Sequence, residues 1–111
     1  MINQRRLTDE FLELVSIPSL SRQEGKVARR LESILKDMGA SVEVDDAGER
    51  VGGDTGNILA RFPGNTPGAA PFLLSGHMRD IHTVNEWVDV KDLVATAELV
   101  LETVKANAAP A

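Results

Sequence analysis

The chain contains no cysteine and no tyrosine. Without cysteine there can be no disulfide, no thiolate zinc site and no cysteine nucleophile. Phe11, Phe62, Phe72 and Trp87 are the only aromatic residues, so a core must be aliphatic, built from Leu, Val, Ile and Ala. No apolar run approaches about 18 residues, and Met1-Ile2-Asn3-Gln4-Arg5-Arg6 has no apolar signal region, so neither a membrane span nor a secretory leader is expected. Lys and Arg form no stripe: Arg5-Arg6 and Arg29-Arg30 are only pairs within amphipathic segments. With a net charge of −5, the chain is not expected to bind nucleic acid. These absences together predict a cytoplasmic protein that engages neither nucleic acid nor membrane.

What is present suits one small domain. The 111 residues, 42% hydrophobic and 26% charged, are ordinary for a globular chain. A domain of this size buries about two-thirds of its unfolded surface, so modest stability is expected. From about Asn3 to Val15, Leu7, Phe11, Leu14 and Val15 recur at helical spacing, and Pro18 ends that segment. Ser21-Arg22-Gln23-Glu24 fits a capping box opening a second helix, with Val27, Leu31, Ile34, Leu35 and Met38 as its apolar stripe and Gly39 as its left-handed cap.

Ser41-Val42-Glu43-Val44-Asp45 alternates with period two, the mark of a half-buried strand. Residues 46–56 hold four glycines and read as a flexible connection; no Lys follows them and no helix starts there, so a phosphate loop is not expected. Asn57 to Phe62 reads as a second strand, antiparallel to the first. After the turn residues 63–68, Phe72-Leu73-Leu74-Ser75 reads as a third strand, apolar on both faces and therefore central. Asp89-Val90-Lys91-Asp92 opens the clearest helix, with Leu93, Val94, Ala97, Val100, Leu101 and Val104 as its stripe and fraying expected from Asn107. Trp87 is expected to plug the core beside it. The predicted fold is α/β, a three-stranded sheet in the order 2-1-3 with three helices.

Chemistry concentrates in Ser75-Gly76-His77-Met78-Arg79-Asp80-Ile81-His82, which holds both histidines of the chain. An apolar strand running into His and Asp is a common way to hold a hydrolytic metal. His77, Asp80 and His82 are the local ligand candidates, with Glu86 a more distant fourth. A five-residue offset places the two histidines on opposite faces of a strand and about 140° apart on a helix, so only a turn would bring them together. Asp45 and Asp46, beside Gly48, read as solvated acids at a strand end.

Three stretches carry a family resemblance: Leu12-Glu13-Leu14-Val15-Ser16-Ile17-Pro18-Ser19, Gly56-Asn57-Ile58-Leu59-Ala60, and Phe72-Leu73-Leu74-Ser75-Gly76-His77-Met78. Residues 1–78 resemble the N-terminal part of the catalytic domain of zinc exopeptidases of the peptidase T, aminoacylase and carboxypeptidase G group, nearest to peptidase-T-like aminotripeptidases. Ile81-His82-Thr83-Val84-Asn85-Glu86-Trp87-Val88, and residues 81–107 as a whole, resemble that family's extreme C-terminus. The resemblance implies a remnant of a three-layer catalytic domain, zinc as cofactor, small peptides as substrates, His77 as the first metal ligand and His82 as the last.

Arg79 stands where the family's His-x-Asp step has its Asp, and Asp80 follows one position later as the remaining candidate for the catalytic carboxylate. The family's bridging Asp and catalytic Glu have no counterpart. Two zinc ions about 3.5–4 Å apart need bridging carboxylates to offset their repulsion. The expectation is therefore an aminopeptidase-like domain without peptidase activity. The alternative is a non-enzymatic scaffold or self-associating module, a homo-oligomer formed through an exposed sheet edge.

Overall fold

The computed structural model describes residues 1–78 and 88–108. Asp80, His82 and Trp87, and with them the expectations placed on these residues, lie outside the described set. The described elements are α1 (Gln4–Val15), α2 (Gly25–Asp37), β1 (Ser41–Val44), α3 (Ala47–Val51), β2 (Ile58–Arg61) and α4 (Val90–Ala108). The protein is thus a mixed α/β chain whose described sheet has two antiparallel strands. No helix among the described residues is long and apolar enough to cross a membrane.

α1 begins where the backbone amide of Arg6 donates to the Asn3 side-chain oxygen, at 3.0 Å. This satisfies one of the N–H groups that every helix start leaves open. Leu7, Phe11 and Leu14 are half-buried as their spacing predicts, while Val15 is exposed. Arg30 of α2 reaches Glu13 of α1 with two guanidinium nitrogens, Nη2 lying 3.2 Å from Oε2. The guanidinium holds the Glu13 carboxyl below the usual carboxylate range, chiefly by hydrogen bonding.

α2 starts later than the capping box predicts. Arg22 sits in the left-handed region at φ 69°, and its amide, not that of Ser21, donates to Glu24 Oε1 at 3.1 Å. The first helical amide, that of Gly25, is capped from a distance by Asp54 Oδ1 at 2.9 Å, while the Asp54 amide donates to the Arg22 carbonyl at 3.2 Å. The other end follows the sequence. Gly39, at φ 95°, donates to Lys36 and Ala40 donates to Leu35, the paired bonds of a Schellman motif. Met38, expected on the apolar stripe, is exposed.

α2 packs against both strands, which pair with Val42 opposite Ala60 and Val44 opposite Ile58. Val27 and Ala28 of α2 are the buried apolar centre among the described residues. On the other face of the sheet, Glu43 and Arg61 form an ion pair at 3.0 Å beside the exposed Leu59.

Residues 46–56 are not merely a flexible connection: α3 forms within them and ends at Gly52, in the left-handed conformation. The predicted third strand, and with it the order 2-1-3, is not formed among the described residues, where the order is β1-β2. Residues 71–78 are irregular, and Leu73 is 87% exposed. A strand apolar on both faces gains from burial only where neighbours and covering layers exist on both sides, and the described elements supply neither.

α4 begins as read from the sequence, with the Lys91 amide donating to Asp89 Oδ1 at 2.8 Å. It continues through Asn107, where fraying was expected, and that side chain donates to the Thr103 carbonyl at 2.8 Å. α4 packs against α1.

Candidate functional site

His77 lies at a cleft of about 340 Å³. It is lined by Gly76, His77 and Met78, by Ala47, Gly48 and Val51 of α3, by Thr55 to Asn57, and by Glu24 just before α2. Of the three residues predicted to carry chemistry, His77 is therefore described at a cleft, and Asp80 and His82 lie outside the described set.

The cleft owes its form to Asp45. Its Oδ1 accepts from the amides of Ala47 at 3.0 Å and Asn57 at 2.7 Å, and its Oδ2 accepts from the Asn57 side chain at 3.0 Å. These donors, with the Asn57 side chain foremost, hold the Asp45 carboxyl below the ordinary aspartate value. Asp45 is exposed at the strand end, as expected, and is also the acceptor that starts α3 and ties it to Asn57, beside β2. Asp46 pairs with Arg50 one turn along, at 3.2 Å.

Gly48 and Gly56 make that closure possible. A Cβ at Gly48 would overlap the Thr55 carbonyl oxygen, and one at Gly56 would overlap the Asp45 carbonyl oxygen. Glu24, Thr55 and Asn57 also line the cleft, and no motif in the sequence marks them as doing so. The available signal was the pairing of an acid at position 45 with glycines at 48 and 56, a pattern that closes a loop tightly rather than loosening it.

The cleft's polar groups are largely engaged with the protein itself. Glu24 Oε1 accepts from Arg22, the Asn57 amide is held by Asp45, and the Thr55 hydroxyl donates to the Gly56 carbonyl at 3.3 Å. Among the described residues, no three His, Asp or Glu side chains converge as a metal would require. A catalytic zinc takes about three protein ligands and a water. The cleft's described side chains include one imidazole, that of His77, and one carboxylate, that of Glu24.

No protein-family model matches the chain, and no solved structure does. Over 64 residues, 58% of its length, the chain is 36% identical to a Bacillus subtilis (strain 168) protein named "Uncharacterized protein YqjE". The matched stretch is 17% of that relative, so the chain spans far less than two-thirds of it.

Proposed function

We propose that this chain is a shell of a peptidase-T-like zinc exopeptidase catalytic domain, set in the cytoplasm and without peptidase turnover of its own. The observation that carries the reading is the setting of His77. The segment resembling the family's first-ligand motif borders a cleft in which Glu24 is the carboxylate among the described residues, and Glu24 already accepts from the Arg22 backbone. In this reading the α2, β1 and β2 layer belongs to a three-layer catalytic domain. The limited match to a much longer bacterial protein is consistent with such a part.

The parent chemistry is removal of N-terminal residues from small peptides by a metal-activated water. That chemistry needs carboxylates to balance the metal charge and to take the proton of the water. Arg79, at the family's acidic position, carries the opposite charge. The test is a tripeptide hydrolysis assay of the full chain with and without added zinc, alongside calorimetric zinc titration. No turnover above buffer and no stoichiometric zinc binding are expected. Zinc-dependent turnover that disappears in His77→Ala would overturn the reading.

A further inference from the structure

The chain carries both halves of a strand pairing that is not made among its described residues. One half is the two-stranded sheet, to which no other strand pairs among the described residues. The unpaired edges of such a sheet accept further strands. The other half is Phe72-Leu73-Leu74, extended in composition, outside any ladder, and 49%, 87% and 63% exposed. Between the two run residues 62–71, with prolines at 63, 67 and 71. Each proline fixes its own φ and lacks an N–H, which disfavours a tight return of the segment onto its own sheet.

We propose that a second copy of this chain completes the pairing, with residues 72–74 of each protomer adding as a strand to the open sheet edge of the other. The arrangement is isologous: the same donor segment and the same acceptor edge serve both copies. Charge permits it. Residues 62–78 contain no Asp, Glu, Lys or Arg, so each donor segment brings no charge to the sheet edge of a partner whose net charge is also −5. The exposed sheet face carries its Glu43 and Arg61 as a neutral pair. Phe72, Leu73 and Leu74, all exposed in the protomer, are the apolar surface that the pairing would cover.

Light scattering on the purified full chain across about 1–100 μM tests this, with a dimer of twice 12.0 kDa expected at the upper concentrations. Leu73 is exposed in the protomer, so Leu73→Lys should leave helical circular dichroism unchanged while weakening dimerisation at least tenfold. Strand pairing itself is read by Leu73→Pro and Leu74→Pro. Neighbouring N–H groups in a strand point to opposite edges, so at least one of these variants must lose a ladder bond and give monomer. A wild-type mass of 12.0 kDa throughout, or a dimer that survives Leu73→Lys, overturns the proposal. A dimer that survives both proline variants overturns the strand pairing. None of these readings depends on peptidase activity.

Discussion

Gly48 and Gly56 stand where backbone meets backbone, so neither contact can be relieved by swinging a side chain aside. Gly48→Ala and Gly56→Ala should each cost about 1–3 kcal/mol or more, read as a lower urea midpoint, whereas Gly64→Ala, with open space around it, should stay within about 0.5 kcal/mol. Asp45 gives the chain an acid-side sensitivity. Its folded pKa lies below its unfolded value, so the stabilisation is complete above the unfolded aspartate range and is lost as pH falls through the folded pKa. Thermal melts between neutral pH and pH about 3 should therefore show a shallower fall for Asp45→Asn than for wild type. An equally steep fall in the variant would place the sensitivity elsewhere, with Glu13 as the next group to examine.

Among the elements, α2 shows what can and cannot be read locally. Its end was legible because Gly39 and the residues that bond around it are consecutive in the chain. Its beginning was misread because the cap is Asp54, 29 residues away from Gly25, and no local pattern encodes that partner. Asp54→Ala should cost about 1 kcal/mol in chemical denaturation and loosen the first turn of α2. α1, β1, β2 and the start of α4 were legible from periodicity and caps, since each is decided by its own residues. The third strand was not, because Phe72-Leu73-Leu74 has the composition of a central strand, and composition does not reveal whether neighbours exist. For the site, the sequence singles out His77, and the structure places it at a cleft. The cleft around it was not legible, because it depends on Asp45 engaging Asn57 across 12 residues.

At the scale of the whole molecule, few apolar side chains among the described residues leave water completely. With Val27 and Ala28 as the buried apolar centre of the described residues, the isolated protomer should be weakly stable. Assembly of two copies then contributes to stability by mass action. The thermal midpoint should consequently rise with protein concentration across about 1–100 μM, and the rise should vanish in Leu73→Lys. A wild-type midpoint independent of concentration would leave no role for assembly in holding the fold. The clamp between Asp54 and Gly25 has a further consequence, for synthesis on the ribosome. Domains fold as their chains emerge, N-terminal part first. All the residues of α2 leave the exit tunnel before Asp54 does, so this helix must wait, its first amide facing water, for a residue made well after its own last turn.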